Sequence, residues 1–207
     1  MDDAAAITVC AHAFIDTDPQ QWDQLVEPAS WSEVRAALER LARRGLADAG
    51  AGAGDSAGAF EESVTLGALA TPPTGEEKQR FDARHLTGGL PASALPVESL
   101  YPQAQRAGRA AYDGPPAQAM RRLIASLPAA VPPEFRSCPD HLALQLDCLA
   151  TFLRLGRTDE AVRLIDERLA WLPRYRARLS ELDDAAFACA VVDALIGLRA
   201  ATLRASQ

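Results

Sequence analysis

Apolar residues recur along this chain at steps of three and four, the spacing of helices that lay one face on a core, and proline and glycine cut the stretches between them. Over residues 3–15, Ile7, Cys10, Ala11, Phe14 and Ile15 share a face, which predicts a first helix. Asp18 followed by Pro19 predicts the start of a short second helix carrying Trp22, Leu25 and Val26. Ser30 is placed to cap a third, with Trp31, Val34, Leu38 and Leu41 along one side. Arg43 and Arg44 in its last turn and Gly45 at its end suit the helix dipole. Residues 47–57, ADAGAGAGDSA, hold no apolar anchor and predict a flexible loop. A helix through Phe60, Val64, Leu66 and Leu69 is expected over 58–70, stopped by Thr71-Pro72-Pro73-Thr74-Gly75. Another is expected over 76–87, acids first, closed by Gly88 and Gly89.

Three prolines keep residues 90–102 from being helical throughout, so they predict a connector across the surface, where binding residues often lie. A helix over 115–127 would bury Met120, Leu123, Ile124 and Leu127, and 128–136 form a second proline-rich connector. The stretch 137–155 predicts a helix capped by Ser137 or Cys138 with Pro139 in its first turn, and with Leu142, Leu146, Leu149 and Leu153 as its core stripe beside Phe152. At its mouth, Asp140 is expected to satisfy the free N–H groups and His141 to lie on the surface. Thr158 is placed to cap the next helix, with Leu164, Ile165 and Leu169 inward and Trp171 in the core. Pro173 starts a short piece, and Asp183 is placed to cap a last helix with Phe187, Ala188, Val191, Val192, Leu195 and Leu198 in a broad stripe. No repeat period appears, so the expected architecture is all-α: a single irregular bundle of roughly eight to ten helices spanning 1–207.

Composition agrees. Of the 207 residues 48% are hydrophobic, enough for a core, while strand formers are sparse. The net charge of −7 argues against nucleic acid as a partner. Residues 1–100 carry seven basic and sixteen acidic side chains, and the remainder fourteen and twelve, so the first half is at −9 and the second at +2. An acidic half can steer a basic peptide. The N-terminus lacks the basic start and long apolar run of a secretory signal, and no segment reads as a membrane span, so a cytoplasmic protein without stable membrane insertion is expected.

The candidate chemistry is thin. The four cysteines form no CxxC, and Cys148 and Cys189 fall in apolar patterns. Cys138 lies near a predicted helix start, which can lower a thiol pKa. His12, His85 and His141 are far apart, so no metal or other cofactor is expected. There is no phosphate-binding GxxxxGK[ST] loop, and the GxSxG match at Gly54-Asp55-Ser56-Ala57-Gly58 falls at the end of the stretch predicted as a loop, not on a strand-to-helix elbow. Two readings that need no peptide client stay open: a small helical hydrolase using His141 with Asp140, and a helical interaction module. The balance favours a binding protein over an enzyme.

Three segments in order carry a family resemblance: Ala83–Tyr101, ending in Pro96-Val97-Glu98-Ser99-Leu100-Tyr101; Cys138–Leu153, with its Pro139-Asp140-His141-Leu142 start; and Leu169–Leu179, LAWLPRYRARL. Together they resemble the TorD/DmsD/NarJ family of redox-enzyme maturation chaperones. The resemblance implies an all-helical, non-catalytic cytoplasmic protein. Its partner would be the twin-arginine signal or N-terminal leader peptide of the apo-form of a molybdopterin-dependent oxidoreductase subunit, held until cofactor insertion. It implies that Asp140 and His141 belong to the peptide-binding pocket, with Ser99 and Tyr101, and also Glu98 and Leu100, lining the same region. Gln145 stands where that pattern often has glutamate. A titrating His141 would add pH sensitivity near neutrality, and exchange of helices through 47–57 would permit a homodimer.

Overall fold

The computed structural model describes residues 3–46, 67–88, 93–101, 112–128 and 130–205, with the side chains of 41–46 excepted. The Gly/Ala-rich stretch expected to be a loop, and most of the helix expected over 58–70, lie outside these residues. Nine helices are described: α1 (Asp3–His12), α2 (Pro19–Leu25), α3 (Pro28–Leu46), α4 (Gly75–Phe81), α5 (Pro115–Ala125), α6 (Leu142–Arg154), α7 (Thr158–Arg168), α8 (Leu172–Leu179) and α9 (Ala186–Ala205). Among the described residues no strand forms beyond one isolated bridge. The all-α expectation holds.

Local chemistry sets most boundaries. Asp18 Oδ1 accepts from the N–H groups of Gln20 and Gln21 at 3.0 and 3.1 Å, with Pro19 in the first turn of α2. Thr74 and Glu77 form a reciprocal capping box at α4. Gly75 is required there because a Cβ would lie 2.2 Å from the carbonyl oxygen of Pro19. After Phe81 the helix widens into a single π-turn over Asp82–Leu86, instead of running on as one α-helix. Gly156, at φ +66°, turns the chain from α6 into α7.

Several expected starts move. Pro28 opens α3, leaving Ser30 inside the first turn. Thr158 is itself the first residue of α7, and no side chain caps that helix. The last helix begins at Ala186, after Asp184 takes up a left-handed backbone at φ 59°. Within α1, Ala4, Ala6, Ile7, Val9, Cys10 and Ala11 are all buried. That helix is covered on nearly every side, as one with apolar residues all round must be.

The core is one cluster running from Ala4 to Leu195. In it α3 packs on α9, α1 on α6, and α6 on α7. Trp22 and Trp31 flank Phe187, and their indole N–H groups donate to the carbonyls of Pro73 and Leu69, each at 2.8 Å. By length and a mean hydropathy of 1.7, α9 has the composition of a membrane-crossing helix, where the sequence pattern predicts a core helix and no membrane span. Its Asp193 and Arg199 nevertheless pair with Arg176 and Asp166 on neighbouring helices.

Candidate functional site

The segment 95–101 lies as a strap across the N-terminus of α6, and backbone bonds hold it there. Val97 and His141 form an antiparallel bridge, Leu142 N–H donates to Pro96 O at 2.8 Å, and Glu98 N–H donates to Asp140 O at 3.2 Å. A helix start exposes N–H groups that need acceptors. Here the strap carbonyl takes one. The imidazole takes another: His141 is the N-cap, and its Nδ1 accepts from Ala143 N–H at 3.2 Å. The helix therefore starts at Leu142, and Ser137, Cys138 and Pro139 precede it in a turn rather than capping it.

The cap expected of Asp140 is made by His141, and neither residue lies on the surface. Asp140 is 0% exposed and points to the strap, not to the helix. Its Oδ2 accepts from Ser99 N–H at 2.7 Å and from Ser99 Oγ–H at 2.5 Å. His141 is buried against Phe135 and is not a surface residue. Burial pushes its pKa down to about 4, so the ring stays neutral at physiological pH and the expected sensitivity near neutrality is overturned. The Cys138 thiol is likewise pushed up by burial, not lowered by a helix start.

Glu98, Ser99 and Leu100 form a 3₁₀ turn that continues the strap. Glu98 is buried, and Gln145 Nε2 donates to its Oε2 at 2.8 Å while Arg168 reaches its Oε1 at 3.3 Å. Gln145 in turn accepts from the indole N–H of Trp171 at 3.2 Å. Tyr101 stacks on Trp171 with ring centroids 5.4 Å apart, and Tyr175 meets both rings edge-on or tilted. Burial raises the Tyr101 hydroxyl to about 12. Leu100 and Tyr101 are only partly buried and give the strap its accessible side. All six residues singled out from the sequence thus meet at one place.

Sequence reasoning missed three members of this network: Gln145, Arg168 and Trp171's part in it. One signal was present. Gln145 lies on the same helical face as Leu142 and Leu149, and a polar residue in an apolar stripe is the informative exception. Leu153, expected in that stripe, is 37% exposed, and Phe152 takes the buried position.

Chemically the arrangement is a clamp. Ser99 Oγ donates to Asp140 and His141 Nδ1 is occupied by a backbone N–H, so the serine is not set against the imidazole as nucleophilic catalysis requires. Among the described residues no group of three or more His, Cys, Asp or Glu side chains could hold a metal ion. Two polar atoms at the clamp, Asp140 Oδ1 and the Tyr101 hydroxyl, are buried without a hydrogen-bond partner among the described residues.

No curated protein and no solved structure matches the chain. The profile of a family described as nitrate reductase delta subunit does match, over residues 65–185. That span contains the strap, the start of α6 and the Trp171–Tyr175 aromatic cluster, all three resemblance segments together. The chain therefore belongs to the nitrate reductase delta subunit family of NarJ/TorD-type chaperones, which act in the maturation of redox enzymes.

Proposed function

We propose that this chaperone works in the cytoplasm by binding the N-terminal segment of a molybdopterin-dependent oxidoreductase subunit, either a twin-arginine signal or an equivalent leader, and holding it until the cofactor is inserted. Family membership supports the general role. The observation that carries the finer reading is the convergence of Glu98, Ser99, Leu100, Tyr101, Asp140 and His141 on one strap over a helix mouth. The strap is fastened by a few hydrogen bonds, and it leaves Asp140 Oδ1 and Tyr101 Oη unpartnered. A peptide that lifts the strap gains a carboxylate for its cationic groups and the aromatic surface of Tyr101, Trp171 and Tyr175 for its apolar run. Leu100 and Tyr101 make the first contact, since Asp140 and His141 are covered while the strap is closed.

The test is an anisotropy titration of labelled leader peptides from molybdopterin oxidoreductases. Saturable binding is expected, weakened about tenfold or more by Tyr101→Ala and Asp140→Asn, which remove the aromatic surface and the carboxylate that the peptide gains. Absence of binding to every leader would overturn the function. Unchanged affinity in both variants would overturn the site while leaving the function standing.

A further inference from the structure

Away from the strap, α4 and the π-turn that follows it wall a cavity of about 290 Å³, closed on the other side by Ala13 and by Phe187 of α9. Such a volume lies at the small end of ligand sites and suits one long side chain or a small metabolite. Single π-turns within helices gather at functional sites. The polar groups in this wall are unusual.

Lys78 is the only lysine among the 207 residues, and it is 4% exposed. Its ammonium is already engaged. It pairs with Asp82 Oδ2, donates to Ile15 O at 2.7 Å and lies 5.2 Å from the centre of the Trp22 ring. Asp82 and His85, which are 2% and 6% exposed, both line the cavity. Among the described residues, Asp82 Oδ1 and both ring nitrogens of His85 find no hydrogen-bond partner. Buried polar atoms of this kind carry a substantial desolvation cost and ask for an explanation. Asp82 Oδ1 and the acceptor nitrogen of the His85 ring, on neighbouring turns and facing one cavity, point to a ligand that supplies the donors they lack.

The missing partner is a donor. An ionised carboxylate only accepts, and a neutral imidazole has one lone pair to offer. Arg80 and Arg84 also line the cavity, but Glu77 and Asp184 balance them, so an anion would find no net positive wall and would meet the Asp82 carboxylate with the nearest ammonium already spent. A planar cation with several N–H groups matches both acceptors, and its flat face suits the aromatic walls given by Phe81, itself 5.0 Å from His85, and Phe187. We propose that this cavity binds an alkyl-guanidinium group, which donates to Asp82 Oδ1 and to a ring nitrogen of His85 and lies between Phe81 and Phe187. The proposal stands apart from the leader-peptide reading, since the cavity shares no residue with the strap.

The group has two sources, a free small molecule or an arginine side chain of a peptide, and the experiment separates them. The full-length protein is titrated by calorimetry at neutral pH with agmatine, with its neutral urea isostere, and with a short capped peptide containing arginine or, in its place, citrulline. The imidazole signals of His85 are followed by NMR. Saturable binding of a guanidinium compound that moves the His85 signals is expected, with the matching urea at least about tenfold weaker. Tighter binding of agmatine than of the arginine peptide assigns a free metabolite, and the reverse assigns a peptide. Asp82→Asn should lose binding to a similar extent. Should that variant fail to fold, the comparison of guanidinium with urea in the wild type decides alone. Equal binding of the urea, no movement of His85 at millimolar ligand, or full affinity in folded Asp82→Asn each overturns the proposal.

Discussion

Replacing Asp140 by alanine removes the acceptor of two buried donors at once, the N–H and the Oγ–H of Ser99, at 2.7 and 2.5 Å. Each donor left unsatisfied costs about 1–3 kcal/mol. Relief from burying a carboxylate with one bare oxygen offsets part of this, so a net loss of about 2–4 kcal/mol is expected. For a chain of this length that lowers Tm by about 5–15 °C. Urea unfolding followed by far-UV circular dichroism measures it, with the midpoint falling and the m-value unchanged. Asp140→Asn keeps an oxygen for Ser99 and should lose less than half as much. The sharper measurement is a double-mutant cycle with Ser99→Ala, which removes the hydroxyl and leaves the N–H. A coupling of about 1–2 kcal/mol is expected from the lost Oγ–H bond. If the two effects add to within about 0.5 kcal/mol, the clamp is not an energetic unit and the reasoning fails.

Gly75→Ala drives a Cβ into the backbone of Pro19 and should cost about 1–3 kcal/mol, read as a lower urea midpoint. Gln145→Leu strands the indole N–H of Trp171 and removes one donor to Glu98. It should cost about 1–3 kcal/mol and alter the tryptophan emission. His141 gives a pH signature. The unfolded chain takes up a proton below about 6.5 and the folded chain not until about 4, so this contribution is complete above 6.5 and is lost as the pH falls through that window. The loss amounts to roughly 3 kcal/mol at most. Asp82, pushed up to about 6 by burial, acts in the opposite sense, so the slope is read as the difference between wild type and His141→Asn. A difference that does not change between neutral and acid pH would show that the imidazole is not held neutral by the fold.

Much of this was legible because three-and-four spacing and end chemistry act locally. Asp18 with Pro19 marked a helix start from adjacent residues alone, and Leu142, Leu146 and Leu149 declared a buried face. What stayed hidden depends on partners distant in sequence. Nothing near Asp140 reveals that its carboxyl is claimed by Ser99, 41 residues earlier, and so nothing local could show that the cap passes to His141. The π-turn at Asp82–Leu86 was hidden for the same reason: its buried carboxylate is paired with Lys78 in the turn before it, but the carbonyl of His85 accepts from Ala94 N–H, and that of Gly88, just beyond the turn, from Ser93 Oγ–H. Leu153 shows the limit of periodicity, because a stripe position lies in the core only where another helix covers it.

The packing of α1 on α6 and of α3 on α9 bears on how this chaperone itself comes to be folded. During synthesis the first three helices leave the ribosome long before the segments that will cover them. The Trp22–Phe187–Trp31 cluster cannot assemble until almost the whole chain has emerged. Until then the apolar faces of α1 and α3 stand uncovered, so completion of the core should follow translation rather than accompany it. The matched family span of 65–185, cut out by itself, would leave behind α1, α2, α3 and α9, and with them both of the principal helix pairings. The boundaries of recognisable ancestry and those of a separable folding unit do not coincide in this molecule.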